Sequence, residues 1–242
     1  MAYDRTAEFH ELFIAPLWHG YRSLLADHWG ALSSQAVILD VGAGTGVGLL
    51  ALAGVTAAQL IAIEPDRTMR TALMARLATD VVMAERTTVF TERAPHVMSE
   101  LPDHLDGALL AHMLGHLDAR DREQLWTLLL PRLRPEAMAL VTVSPEPDGR
   151  AAADGELAIT DARWVGEREY TVSYQPHPVH GPERGHLSVY RVHHRGRQVT
   201  EEIEIGAWYP ITATVLAAEV EAAGGAVLET GNPTWRAVVT RT

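Results

Sequence analysis

None of the 242 positions is a cysteine, and none is a lysine: all 20 basic residues are arginine. Without cysteine the chain has no disulfide, no thiolate nucleophile and no cysteine-ligated zinc or iron–sulfur centre. Without lysine it has no Schiff-base amine, no phosphate-gripping P-loop lysine, and no Tyr/Lys pair of the kind used by short-chain dehydrogenases. No apolar run reaches about 18 residues, so no membrane-spanning helix is expected. No basic cluster interrupts a net charge of −11, which argues against nucleic acid or an anionic membrane as partner. Asp4, Glu8 and Glu11 fall within the amphipathic N-terminal stretch. That is not the pattern of a secretory signal, and the cytoplasm is the expected location.

What remains is an ordinary globular composition, 47% hydrophobic and 21% charged. It suits one full core, and one domain with an insertion is the natural expectation. The most informative stretch runs from Ala36 to Ala51, AVILDVGAGTGVGLLA. Val37, Ile38 and Leu39 read as a strand buried on both faces. Asp40 closes it, glycines alternate at Gly42, Gly44, Gly46 and Gly48, and Leu49 to Leu52 open a helix. A strand, a glycine turn and a helix N-terminus let backbone approach a nucleotide-like ligand and meet it with unpaired N–H groups. The dinucleotide fingerprint G-x-G-x-x-G/A can be forced onto Gly46, Gly48 and Ala51, but that register begins too far from the strand.

The register Asp40-x-Gly42-x-Gly44-x-Gly46 resembles the first motif of class I S-adenosylmethionine-dependent methyltransferases. Leu60 to Ile63 followed by Glu64 is similar to that family's second strand, whose terminal carboxylate grips the ribose hydroxyls. Asp106 to Ala111 followed by His112 resembles its fourth strand. Leu133-Arg134-Pro135 and Ala139 to Val143 resemble the helix end and fifth strand, with Glu136 and Ala137 in place of the usual glycines. The resemblance implies an α/β fold: a Rossmann-like seven-stranded sheet with its last strand antiparallel and helices on both faces. It further implies S-adenosylmethionine as cofactor and a small-molecule methyl acceptor, transferred in line to oxygen or nitrogen, with natural-product biosynthesis as the setting. The alternative is a protein of this fold that binds the cofactor but catalyses a non-methylating reaction such as cyclisation; a non-catalytic subunit or a dinucleotide enzyme comes after it.

The organisation follows as a single domain over 1–242: a helical lid at 1–35, a cofactor core at 36–143, a β-rich insertion at 144–206, and a last helix with closing strands at 207–242. Apolar residues from Phe9 to Trp29 are spaced for one helix, or for two broken near Pro16. Pro65 and Asp66 start a helix running to about Ala78, Thr87 to Phe90 supplies a third strand, and Asp118 caps a helix ending near Leu133. Glu167–Gln175, His186–His194 and Arg197–Ile205 alternate at period two and read as three strands, the last two joined at Arg195-Gly196. The resemblance places such an insertion over the strand ends, roofing the substrate pocket or pairing subunits as a homodimer. Thr212 to Ala223 is the last helix, stopped by Gly224-Gly225.

Candidate cofactor contacts, carried by the resemblance, are Asp40 for the ammonium, the Gly42-Ala43-Gly44 and Gly46 backbone, Glu64 with Pro65, Glu92, Arg93 and Ala94 after the third strand, Ala111 and His112 after the fourth, and Tyr3 from the lid. His112 is the leading candidate base, because an imidazole of ordinary pKa about 6.5 accepts a proton at neutral pH. His116 would share its face if the turn between them is helical. His10, Trp18, His19, Trp164, Tyr170, Trp208 and Tyr209 are candidates for the substrate side, each also explicable as core or interface. Histidines crowd the insertion at His177, His180, His186, His193 and His194. Adjacent strand residues face opposite ways, however, and no metal is expected.

Overall fold

The computed structural model describes residues 5–145, 157, 159–178 and 183–241. Tyr3, His180 and most of the loop after the fifth strand lie outside them. The N-terminal stretch is one helix, α1 (Ala7–Trp29), continuous through Pro16. There follow β1 (Val37–Val41), α2 (Val47–Ala53), β2 (Gln59–Ile63), α3 (Arg67–Thr79), the short α4 (Val81–Glu85), β3 (Thr87–Phe90), the single turn α5 (Ala94–Val97) and β4 (Leu105–Leu110). Then come α6 (Ala119–Leu129), β5 (Leu133–Thr142), β6 (Ile159–Val165), β7 (Arg168–His177), β8 (Arg184–His194), β9 (Arg197–Trp208), α7 (Ala213–Ala222), β10 (Gly225–Glu229) and β11 (Trp235–Thr240). Contacts divide the chain into two compact units, Trp18–Glu146 with Ile211–Thr242, and Met1–Leu17 with Pro147–Pro210.

The larger unit is built on a seven-stranded sheet in the order β10-β11-β5-β4-β1-β2-β3. β1 to β5 run parallel, and β11 is antiparallel to both β5 and β10. From β1 the chain steps outward through β2 to β3, then returns to the far side of β1 for β4 and β5. With right-handed crossovers, the connecting helices of the two halves lie on opposite faces of the sheet. The reversal makes a switch point between β1 and β4, and ligands bind at the carboxyl ends of strands beside such a crevice. Burial follows the parallel-sheet rule: Ile38, Leu39, Val41, Ile63, Leu109, Leu110, Leu140 and Val141 are fully buried.

Local chemistry sets the element ends. Asp66, Asp118 and Thr212 cap α3, α6 and α7 by accepting the orphan N–H groups of their first turns. Gly224, at φ 86°, leads out of α7. α6 stops at Leu129, and a 3₁₀ turn through Pro131 carries the chain into β5, so Leu133-Arg134-Pro135 is extended strand and not helix end. Buried Arg122 on α6 donates to both carboxylate oxygens of Glu219 on α7 at 2.9 and 3.1 Å and to the Leu117 carbonyl at 2.6 Å. This joins two helices far apart in sequence. Trp29 on α1 lies so close to Gly107 of β4 that a Cβ there would stand 2.6 Å from the indole nitrogen.

The smaller unit is a meander of four antiparallel strands, β6-β7-β8-β9, one more than the alternation announces. Arg195 and Gly196 take φ values of 52° and 75° between β8 and β9, the left-handed pair that a two-residue hairpin of matching twist requires. The first turns of α1 complete this unit. Phe9 is fully buried, stacked on Tyr190 at 4.9 Å and edge-on to Tyr170 at 5.8 Å. Arg5 pairs with Glu202, and Arg163 lies over the Phe13 ring.

Candidate active site

Three loops meet where β1, β2 and β4 end. After β1 the chain turns through Gly42, Gly44 and Gly46 at φ 73°, 58° and 83°, left-handed values that glycine adopts without strain. What surrounds them differs. A side chain at Gly42 would meet Met113, one at Gly46 would meet Leu73 at 2.6 Å, and one at Gly44 would point into open space. Gly44 therefore presents bare backbone to whatever occupies the cleft. Gly48 belongs elsewhere: the Trp18 indole lies where its Cβ would be, at 2.7 Å.

Glu64 binds the loop to the end of β2. One carboxylate oxygen accepts from the Gly44 N–H at 2.7 Å and the other from the Asp66 N–H at 2.7 Å. Both oxygens retain a lone pair for a further donor. Burial to 6% exposure raises the Glu64 pKa above the usual range, opposed by those two amides. α3 props the same region from behind. Arg70 donates to the Glu64 carbonyl at 2.7 Å, Arg76 to the Thr45 carbonyl at 2.9 Å, and Leu73 fills the space beside Gly46.

Asp40 is the anomaly. It is 3% exposed, and its Oδ2 has no hydrogen-bond partner among the described residues. Desolvation, with a smaller contribution from the Glu64 charge, pushes its carboxyl up to about 7. A buried carboxylate oxygen left without a donor beside an open backbone cradle is the arrangement a ligand bearing an ammonium completes. The residues present fit the amino-acid end and the ribose of S-adenosylmethionine: an orphan acceptor at Asp40, open space over the Gly44 backbone, and spare lone pairs on Glu64.

His112, first after β4, has φ 56°, one of only two positive-φ non-glycine residues among those described. Such a backbone costs roughly 1–3 kcal/mol and persists only where the surroundings enforce it. The His112 N–H donates to Thr142 Oγ1 at 2.7 Å, and the next side chain, Met113, packs on Gly42. His112 is exposed as a residue, yet desolvation holds its pKa below the ordinary value, so it is neutral at pH 7. His116 closes a 3₁₀ turn, Leu114–His116. With His112 left-handed ahead of that turn, the two histidines do not lie on one helical face, which corrects that expectation.

Ala111, half-buried, and Pro65, exposed, flank the same loops. After β3, Ala94 is buried, Arg93 is exposed at the start of α5, and the Glu92 carboxylate folds back onto the Thr91 N–H at 2.9 Å. Backbone amides of Glu92 and Thr91 hold it below the usual carboxylate range. Trp18 is drawn into the core, 7% exposed, with Tyr21 and Trp235 edge-on to it at 5.7 and 6.4 Å. His10 is half-buried and His19 exposed on α1. Trp164 is 65% exposed on β6, Tyr170 packs on Phe9, Trp208 meets His186 edge-on, and Tyr209 follows β9 half-buried. Among the described residues no group of three or more histidines and carboxylates is placed to hold a metal ion. The sequence reading passed over Thr142, Arg70 and Arg76; the only signal for Thr142 is a hydroxyl ending an otherwise apolar strand.

The sequence pattern of the family described as methyltransferase domain matches residues 38–136. No curated protein matches the chain. DesVI from Streptomyces venezuelae superposes with a TM-score of 0.71 at 16% identity, over 99% of this chain and 97% of that one. CalS10 of Micromonospora echinaspora, an amino pentose methyltransferase of calicheamicin biosynthesis solved with S-adenosylmethionine bound, gives 0.71 at 19% identity over 93% and 92%. The sugar N-methyltransferase KedS8 from a Streptoalloteichus species gives 0.65 at 19% over 93% and 87%. The sheet order and the matched segment agree: the chain carries a methyltransferase-domain pattern over residues 38–136 and has the fold of these S-adenosylmethionine-dependent enzymes.

Proposed function

We propose that this enzyme transfers the methyl group of S-adenosylmethionine to an amine on a small sugar-like acceptor of natural-product biosynthesis. The observation that carries the cofactor half is the orphaned, buried Oδ2 of Asp40 beside the open backbone of Gly44. The acceptor class rests on similarity to an amino pentose methyltransferase, a sugar N-methyltransferase and a glycopeptide N-methyltransferase.

When bound, S-adenosylmethionine supplies a methyl group already activated on a sulfonium. Asp40 holds the ammonium, Glu64 the ribose hydroxyls through the lone pairs its two amide bonds leave free, and the Gly42–Gly46 backbone lies along the ligand. Ala94, Glu92 and Arg93 border the adenine end, and Ala111 and Pro65 the walls between. Positioning of nucleophile and methyl group in line is the chain's main contribution, and can supply roughly 7–11 kcal/mol of the barrier. His112, neutral at pH 7, accepts the proton that a protonated acceptor amine must give up before its nitrogen lone pair is free to attack. His116 has no part in that step.

Incubation with S-adenosylmethionine and a panel of aminohexose and aminopentose glycosides tests this. Release of S-adenosylhomocysteine with a product heavier by one methylene is expected. Cofactor binding with no such release, whatever the acceptor, gives the non-methylating alternative. We further propose that β9, which exposes Ile203 and Ile205 at 55% and 62%, takes part in a homodimer. Sedimentation should find a dimer that Ile203→Glu with Ile205→Glu converts to monomer; a wild-type monomer would end that reading.

A further inference from the structure

We propose that Thr142 is the positioning residue for His112: its hydroxyl holds the imidazole-bearing residue in a backbone conformation that histidine does not keep unaided. This rests on the reading of His112 as the proton acceptor and deepens it.

Three observations converge on Thr142. First, it is the last residue of β5, 9% exposed and paired in register with Trp235 of β11, so its backbone is fixed from a neighbouring strand. Second, its Oγ1 accepts the His112 N–H at 2.7 Å across 30 residues of sequence. Parallel pairing of β4 with β5 is recorded from Leu105 to Leu110, and no pair includes His112. The threonine hydroxyl therefore satisfies an amide for which the sheet ladder provides no acceptor. Third, the left-handed φ of His112 follows at once, and Met113 lands against Gly42. The bond thus fixes both the histidine and the contact that seats the next residue on the cofactor loop. Valine is nearly isosteric with threonine and equally at home in a strand, so β5 does not need a hydroxyl here for its own sake.

The test uses the full chain, labelled with nitrogen-15 in histidine, and needs no acceptor. Variants are Thr142→Val, which removes the oxygen, and Thr142→Ser, which keeps it. His112→Ala assigns the resonances, and thermal melting with S-adenosylhomocysteine calorimetry runs alongside. The wild type is expected to show a His112 ring that titrates below its ordinary value, from burial, and an amide protected from exchange by its bond to Thr142. Thr142→Val is expected to move the ring titration toward the ordinary value and to raise amide exchange at His112 at least tenfold, with the other histidines unmoved; Thr142→Ser should stay near wild type. Wild-type titration and protection in Thr142→Val would overturn the proposal, as would equal loss in Thr142→Ser. A variant that melts far below the wild type, with all histidines shifted together, would overturn it too, because Thr142 would then be a general structural residue. Failure to bind S-adenosylhomocysteine would sink the cofactor reading while leaving the Thr142–His112 result intact, so the two failures are distinguishable.

Discussion

At the scale of single residues, the charge of Asp40 governs behaviour. Its carboxyl is raised from 3.8 to about 7, so between those values the folded chain holds a proton that the unfolded chain has released. The unliganded enzyme therefore loses stability as pH rises from about 4 to about 7, on the order of 4 kcal/mol if no other group compensates. A bound ammonium favours the charged carboxylate and reverses this. Titration calorimetry near pH 6.5 in buffers of different ionisation enthalpy should find proton release on binding S-adenosylmethionine; Asp40→Asn should abolish the release and weaken affinity at least tenfold. Glu64→Gln should also weaken affinity, because the amide NH₂ cannot accept the Gly44 or Asp66 N–H that both oxygens now accept. His112 carries the opposite sign: its lowered pKa means that acid below about 6.5 charges the unfolded chain first and costs stability, and turnover should fall on that acidic limb. Glu64 and the glycines were legible in the sequence because spacing alone places them at strand ends. The orphaned oxygen of Asp40 and the left-handed His112 were not, since burial and a hydroxyl from β5 create them.

At the scale of elements, the loop after β1 is a shared surface, open on one side and clasped by α3 on the other. Gly44→Ala costs the left-handed backbone alone, about 1–2 kcal/mol, and puts a methyl group into the open space proposed for the ligand. Gly46→Ala adds a collision with Leu73 at 2.6 Å. Calorimetric binding and thermal melting should therefore separate the two: the first mainly loses affinity, the second mainly loses stability. Arg76→Met should weaken cofactor binding several-fold with no direct contact, because the Thr45 carbonyl loses a donor. The alternation of strand and helix through β5 could be read from periodicity and caps. β6 could not: Ile159, Ala162, Trp164 and Val165 keep no period of two, and the strand shifts register against β7 after Ile159. The long N-terminal helix was ambiguous at Pro16, because proline removes a backbone donor, and it runs unbroken from Ala7 to Trp29.

At the scale of the whole molecule, ligand and fold are linked by mass action. S-adenosylhomocysteine at a hundredfold excess over its dissociation constant should stabilise the cofactor unit by about 2.7 kcal/mol, or roughly 5–10 °C in melting temperature for a chain this size. A melt that does not move with ligand would contradict the site. Gly48, the glycine that follows the loop inside α2, has a wider consequence. Because the Trp18 indole occupies the place of a side chain at position 48, the residues at 18 and 48 form one lock-and-ward pair. Gly48→Ala alone should loosen the anchorage of the N-terminal helix, and shrinking Trp18 to leucine should make that same alanine tolerable. A motif search that tallies glycines here credits one of them to the nucleotide when its tenant is an indole.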